Sequence, residues 1–438
     1  MRTIAETSKL IQERKLSPLE VLRECLEQIE RLNPVLNAFI AVTADSALQE
    51  AKLAEAEIHA GRWRGPLHGI PVGLKDLIDT AGIKTTAASA VFRDRIPAED
   101  AEVVTKLKTA GAVIVGKQNL HEFAYGGSSV ISASGAVRNP VDPEYIAGGS
   151  SGGSAAAVTA EMCYAAIGTD TAGSVREPAA LCGIVGLKSS YGLVSARGVI
   201  PLSVSLDHVG PLTRSVEDAA LLLDELTGRR AKYRDCLRQG RRDLVIGVPR
   251  DSFFDDVDFE VAAAVEGALD CLAGCGSHVV DIELRVNNDR TLQMAEAYEY
   301  HRQLIAQHGD LYHPETRRRI LAGKAITREQ HDAARREFQS ERENIKKLFN
   351  GIDLLITPTT PIPAPKISDL TRDPDALRPA ELVLLRNTRP VNVWGLPAIS
   401  VPCGKTSRGL PIGLQIVGPP NGDAIVLQAA FAYEQATK

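Results

Sequence analysis

Residues 148–177 read GGSSGGSAAAVTAEMCYAAIGTDTAGSVRE, two Gly/Ser-rich turns held apart by an Ala-rich apolar segment. The first turn spans 148–154 and the second 168–174. Between them, the small residues of 154–160 predict a closely packed helix, and 163–167 a short buried strand. Ser174 then stands where another helix is expected to begin. A strand, a tight turn and a helix start in succession aim free backbone N–H groups, and the positive end of the helix dipole, at the Ser174 hydroxyl. An oxyanion site can be built that way.

Gly/Ser-rich stretches commonly serve as flexible linkers, but a linker has no need of the apolar helix and strand that follow here. A phosphate-binding loop needs Lys and then Ser or Thr after its closing Gly, and neither Gly153-Ser154 nor Gly173-Ser174 supplies that Lys. The pattern Gly-x-Ser-x-Gly also occurs around Ser150, with Asp207 and His208 in a chain order suited to a Ser-His-Asp hydrolase. That elbow requires a buried strand directly before it, and 139–144 (NPVDPE) is loop sequence.

Outward from this centre, the chain alternates strand and helix signals. Apolar runs at 69–76, 112–116, 183–187, 244–248, 278–282, 352–356, 398–401 and 412–417 predict strands. The Ala-Val-Ile-Val run at 112–115 has the continuous apolar character of a strand covered on both faces. Helical patterns lie between several of them, notably 259–272 and 327–349. Ser17-Pro18-Leu19-Glu20 is a capping box with Pro at the first helical position, opening a helix expected to end before Asn33-Pro34. A second, Ala-rich helix is expected over 46–60, closed by Gly61. The basic run 228–243 predicts a solvated connection. The Pro-rich run 357–365 predicts irregular chain wrapping the surface near the rim of a site. The fold class is α/β, a large mixed central sheet with helices on both faces. The 438 residues are expected to form a single domain, with an N-terminal helical segment (1–65), a core (66–215) and a part completing the sheet and substrate pocket (216–438).

Composition narrows the function. A net charge of −5 implies no general attraction to nucleic acid or to an anionic membrane. Seven scattered Cys, with only Cys271 and Cys275 one helical turn apart, suit neither a disulfide framework nor a zinc site. The amphipathic start MRTIAETSKLIQERK lacks the apolar core of a secretory signal, so a cytoplasmic location is expected.

Two side chains beyond Ser174 stand out. Lys75 ends the apolar run Ile70–Leu74; carried into the sheet, its ammonium loses hydration, its pKa falls and its neutral amine can act as a base. The alternative is a strand-end Lys that reaches solvent. Ser150 lies among glycines in the first turn.

The pairing of GGSSGGS (148–154) with GTDTAGSVR (168–176), preceded by GIPVGLKD (69–76), resembles the amidase signature family. Supporting matches are Gly116-Lys117-Gln118-Asn119, Glu122-Phe123-Ala124, Asn139-Pro140, Asp207-His208-Val209-Gly210-Pro211, Gly395-Leu396-Pro397-Ala398 and Gly413-Leu414-Gln415. The resemblance implies an amide hydrolase with Ser174 as nucleophile, Ser150 as a proton relay on a cis peptide, and Lys75 as the terminal base. The backbone N–H groups of Thr171, Ala172, Gly173 and Ser174 would receive the oxyanion. Asp170, Arg176 and Ser151 would support the loop, and Tyr125, Val130, Ile131 and Arg342 would line the substrate pocket. It implies no metal and no cofactor, and a small-molecule amide as substrate.

The family also includes the A subunit of the tRNA-dependent amidotransferase, which liberates ammonia from glutamine. Under that alternative the chain would act on Glu-tRNA(Gln) or Asp-tRNA(Asn) through a second amidotransferase subunit; otherwise the expected protein partner is a second copy of itself. Two departures favour a stand-alone hydrolase: Val130-Ile131-Ser132 replaces a more polar Glu-Asn-Ser, and Leu385 stands where an Asp would meet a glutamine amino group. Arg342, in contrast, aligns with an Arg suited to the substrate carboxylate.

Overall fold

In the computed structural model, which describes residues 2–229, 231–239 and 243–438, strands and helices alternate as the apolar runs require. The strands are β1 (Phe39–Val42), β2 (Pro71–Lys75), β3 (Val113–Gln118), β4 (Ala165–Asp170), β5 (Val185–Lys188), β6 (His208–Thr213), β7 (Val245–Val248), β8 (His278–Asp281), β9 (Leu354–Pro358), β10 (Ala398–Lys405) and β11 (Pro411–Val417). They form one mixed sheet in the order β1-β3-β2-β4-β6-β5-β10-β11-β9-β7-β8. β3, β2 and β4 run parallel, as do β9, β7 and β8, while the middle of the sheet is antiparallel.

The apolar run of β3 shows why helices must cover both faces. Strand side chains alternate between faces, and here Ile114 joins one core cluster while Val113 and Val115 join another. β4 divides the same way, Ala165 and Ile167 against Ala166. One face is covered by the helices Glu102–Thr109, Val216–Thr227, Phe259–Gly274 and Asp423–Ala436. Over the other lie Pro18–Leu36, Ala44–His59, Gly152–Thr159 and Arg176–Cys182.

Three expectations change. The first long helix runs through Pro34 to Leu36 instead of ending before Asn33. Pro34 falls in the last turn, and Asn33 closes that end by exchanging side-chain hydrogen bonds with the Phe39 backbone at 2.7 and 3.1 Å. The Pro-rich run does not wrap the surface: Thr357 and Pro358 are buried at the end of β9, paired with Gln415 and Leu414. Pro is tolerated there because β7 pairs only with Leu354 and Leu355, so at Pro358 one side of β9 is an edge. Within the basic connection, residues 230 and 240–242 lie outside the described residues. Its Lys232–Cys236 helix and the turn after it tuck Tyr233, Cys236 and Leu237 into the core instead of leaving the whole run solvated. β6, a strand that no apolar run marks, also joins the centre of the sheet with Pro211 inside it; β5 pairs only with Leu212 and Thr213, beyond that proline.

Candidate active site

The parallel pairing of β2 with β4, Leu74 opposite Ile167, brings the carboxyl ends of both strands to the same edge of the sheet. Lys75 is the last residue of β2 and therefore arrives beside Thr169. It is fully buried, not solvent-reaching. Its Nζ donates to Ser150 Oγ at 2.7 Å and to Thr169 Oγ1 at 2.8 Å. Burial lowers its pKa from 10.5 to about 7, against the pull of the Asp170 and Asp207 carboxylates.

Ser150 follows a cis peptide bond with Gly149. The turn is held from both sides. Gly149 N–H donates to Glu177 Oε2 at 2.7 Å, and Ser150 O accepts from His121 N–H at 3.1 Å and from the Ser129 hydroxyl at 3.3 Å. Ser151 ties the two glycine-serine turns together: its N–H donates to Ser174 O and its hydroxyl to Thr169 O, each at 3.2 Å. Ser174 is 3 % exposed, and among the described residues its hydroxyl forms no hydrogen bond. Lys75 and Ser150 are thus joined directly, whereas Ser174 is brought to the pair through the backbone of Ser151.

The turn after β4 differs from expectation in two respects. The helix begins at Arg176, so Ser174 lies two residues before it instead of at its start. Of the four expected oxyanion donors, Gly173 N–H is occupied, donating to Asp170 Oδ1 at 2.8 Å. The reason is the demand of a buried carboxylate: Asp170 Oδ2 also accepts from the N–H groups of Val175 and Arg176. The N–H groups of Thr171, Ala172 and Ser174 form no hydrogen bond among the described residues.

Asp170 and Arg176 form a buried bidentate pair, Nε to Oδ2 at 3.0 Å and Nη2 to Oδ1 at 2.9 Å. Burial alone would raise the Asp170 pKa; the Arg176 guanidinium reverses this and holds the carboxyl well below the usual range. The remaining Arg176 donors meet Gln415 Oε1 and Asn392 Oδ1, both at 2.6 Å. Asn392 in turn donates to Asp170 Oδ1 at 2.8 Å. This closed network fixes the strand end and the helix start on either side of Ser174.

Several groups around the site were not legible in sequence. Thr169 is inside the glycine-serine stretch, and only the β2–β4 register shows that its hydroxyl meets Lys75. Thr388, whose hydroxyl donates to Ala172 O at 2.7 Å, comes from more than 200 residues away in the chain. Asp207 accepts from the Thr171 hydroxyl at 2.6 Å, and burial raises its pKa to about 6. His208 is engaged elsewhere, Nδ1 at 2.6 Å from Leu206 O and Nε2 at 3.1 Å from Lys188 Nζ, so Asp207 and His208 do not serve Ser150 as a Ser-His-Asp set.

Of the expected pocket residues, Tyr125 and Ile131 are buried and Val130 is half-buried. Val130 and Ile131 pack in an apolar cluster with Leu377 and Leu384. Arg342 departs from them. Its guanidinium lies between the rings of Tyr191 and Phe338, at 4.1 and 4.4 Å, and donates to the Val393 and Ser205 carbonyls at 3.1 and 2.9 Å. Cation–π packing and carbonyl acceptors hold the guanidinium in place. Among the described residues, no group of three or more His, Cys, Asp or Glu side chains is placed to hold a metal ion. No helix there is long and apolar enough to cross a membrane.

Known proteins share this arrangement of strands and turns. The amidase family model matches residues 20–427. The A subunit of the glutamyl-tRNA(Gln) amidotransferase from Trichlorobacter lovleyi is 40% identical over 100% of this chain and 97% of its own length. The crystal structure of an amidase superposes with a TM-score of 0.91 at 34% identity, covering 99% of both chains. The A subunit of the Thermotoga maritima glutamyl-tRNA(Gln) amidotransferase superposes with a TM-score of 0.81 at 34% identity, covering 99% of this chain and 94% of that one.

Proposed function

This chain belongs to the amidase family, and on that premise we propose that it hydrolyses a carboxamide C–N bond through Ser174, Ser150 and Lys75 by way of an acyl-enzyme. The observation that carries the reading is the fully buried Lys75 amine, 2.7 Å from the Ser150 hydroxyl. An amine that titrates near 7 is neutral in a large fraction of molecules at physiological pH and can take a proton. In this reading, Lys75 receives the proton of Ser150, and Ser150 that of Ser174. Ser174 Oγ then bonds to the amide carbon, and the negative charge moves to the carbonyl oxygen. The free N–H groups of Thr171, Ala172 and Ser174 suit that oxyanion; each such donor contributes roughly 10²–10³ in rate. As the C–N bond breaks, the relay returns the proton to the leaving nitrogen. Water, deprotonated along the same path, hydrolyses the ester and restores Ser174. Asp170, Arg176 and Ser151 hold the turn in place, and no cofactor takes part.

The identity of the relatives favours a second reading. A curated relative covering the whole chain is an amidotransferase A subunit, which supports a partner-dependent glutaminase more directly than a stand-alone hydrolase. Against it, a methyl added to Gly173 would stand 3.1 Å from Leu385 Cδ2, so an apolar side chain abuts the turn where a glutamine amino group would want a carboxylate.

A fluorophosphonate that labels serine hydrolases tests the common core: it is expected to modify Ser174 in the native protein and not in Ser174→Ala. Full amide turnover by a folded Ser174→Ala protein would sink both readings. Glutamine turnover that appears only when a second amidotransferase subunit is added selects the glutaminase; turnover of simple amides by the isolated chain selects the stand-alone enzyme.

A further inference from the structure

The Phe259–Gly274 helix packs Val261, Val265, Leu269 and Leu272 into the core. A helix that buries one face ordinarily turns charge outward on the other. The Pro18–Leu36 helix follows that rule, with Arg23, Glu24, Glu27 and Glu30 exposed. On the Phe259–Gly274 helix the exposed residues are Phe259, Ala263, Gly267, Asp270, Ala273 and Gly274, a single charge among them. They recur at three and four residues and so share one stripe. Phe259 is 77 % exposed, and a Cβ added at Gly267 or Gly274 would meet nothing within 4 Å.

The stripe borders a groove of about 550 Å³ between this helix, the far end of β10 and the end of the Asp423–Ala436 helix. β10 runs close beside the helix, and a Cβ at Gly404 would stand 3.0 Å from Ala264 Cβ. Tyr433 lines the groove and is 4 % exposed, yet among the described residues its hydroxyl forms no hydrogen bond. Lys405, at the rim, is exposed, and neither it nor Asp270 forms an ion pair among the described residues. One surface therefore carries an unpacked ring, a recess lined by small residues, an unused hydroxyl and one unpaired charge of each sign.

Such a surface complements itself, which is what a two-fold interface requires. Two stripes set parallel would bring Asp270 against Asp270. Set antiparallel about Gly267, where no side chain keeps the helices apart, each Phe259 meets Gly274 and Cys275 of the second copy. Asp270 then faces Ala264 of that copy, beside which Lys405 stands, so the unpaired charges meet with opposite sign. We propose that this surface joins two copies of the chain through antiparallel packing of their Phe259–Gly274 helices. Sixteen helical residues span about 24 Å, which covers less than a standard interface of about 1,600 Å², so the dimer dissociates in the micromolar range. It also lies away from the reacting serine. Ser400 on β10 pairs with Gln415, which holds Arg176, and Lys405 is about 16 Å farther along the strand.

Sedimentation velocity from about 1 to 100 μM reads the association, in reducing buffer so that Cys271 and Cys275 form no crosslink. The full chain is expected to pass from monomer to dimer as concentration rises. Phe259→Glu and Gly267→Glu are each expected to keep it monomeric throughout, with thermal melts showing that both are folded. Lys405→Glu is expected to weaken the dimer about 3–10-fold, the worth of two symmetric exposed ion pairs. Adding Asp270→Lys to Lys405→Glu is expected to restore it. A parent chain that stays monomeric at the highest concentration overturns the proposal and leaves the surface to a different protein. A dimer that survives both Phe259→Glu and Gly267→Glu also overturns it, because the interface then lies elsewhere. Loss of the dimer in Phe259→Glu without rescue by the charge exchange overturns the antiparallel arrangement.

Discussion

Lys75 Nζ donates to Ser150 Oγ at 2.7 Å inside a site from which Lys75 is wholly excluded from water. A charged ammonium is penalised there, so the amine's charge state follows pH in the neutral range. The rate, kcat/KM, is expected to rise with pH through about 7 as Lys75 loses its proton. Lys75→Ala should lower it by about 10²–10⁴-fold, the usual worth of a general base, and remove that inflection. A pH profile unchanged in Lys75→Ala would falsify the assignment of the base.

The same burial makes a stability prediction. Between pH 7 and 10.5 the unfolded chain holds the Lys75 proton more tightly than the folded one, so this group's contribution to stability rises with pH across that window. Lys75→Met should therefore be inactive yet at least as stable near neutrality, with a gain on the order of a few kcal/mol that fades toward pH 10. Urea titrations at several pH values provide the check.

Glu177 offers a second test of linkage. Burial raises its carboxyl well above the usual range, so it is held protonated in the fold while its Oε2 accepts the Gly149 N–H at 2.7 Å. The unfolded carboxyl is already ionised once pH exceeds its ordinary value, so stability from this group falls as pH rises. Glu177→Gln keeps the acceptor and should gain stability over the parent as pH is raised from 5 to 8. Glu177→Ala loses the acceptor, and its kcat should drop more than its KM changes.

The Asp170–Arg176 pair is expected to behave as a buried ion pair that tolerates loss of neither partner. Arg176→Ala leaves a carboxylate buried without its counter-charge and should cost about 3–5 kcal/mol in denaturant unfolding. Because the Asp170 carboxyl is held below its ordinary value, its stabilisation is present above that value and is lost in acid.

Gly173 permits the turn twice over. Its φ is +133°, and a Cβ there would meet Thr388 Oγ1 at 2.0 Å. Gly173→Ala should displace the turn and abolish labelling of Ser174 by a fluorophosphonate. In the double variant Gly173→Ala with Thr388→Gly, relief of the clash but not of the φ should restore labelling only in part.

The alternation of apolar runs with helical patterns, together with the two glycine-serine turns, was enough to read an α/β sheet covered on both faces, because apolar periodicity is a local record of burial. Lys75, Ser150 and Ser174 were singled out because each sits in a short motif shared with the amidase signature family, and the fold joins the first two by a hydrogen bond. Tertiary structure decided the rest. Thr388, Asn392 and Gln415 reach the site from chain positions more than 200 residues beyond Asp170, the first two at the start of and inside the Arg389–Trp394 helix and the third on β11, and only tertiary packing brings them there. It also consumed Gly173 N–H by satisfying a buried carboxylate, and enclosed Arg342 between two aromatic rings. A sequence states which side chains carry charge; which charges are left unanswered depends on how distant segments meet, and that is fixed only when the chain is folded.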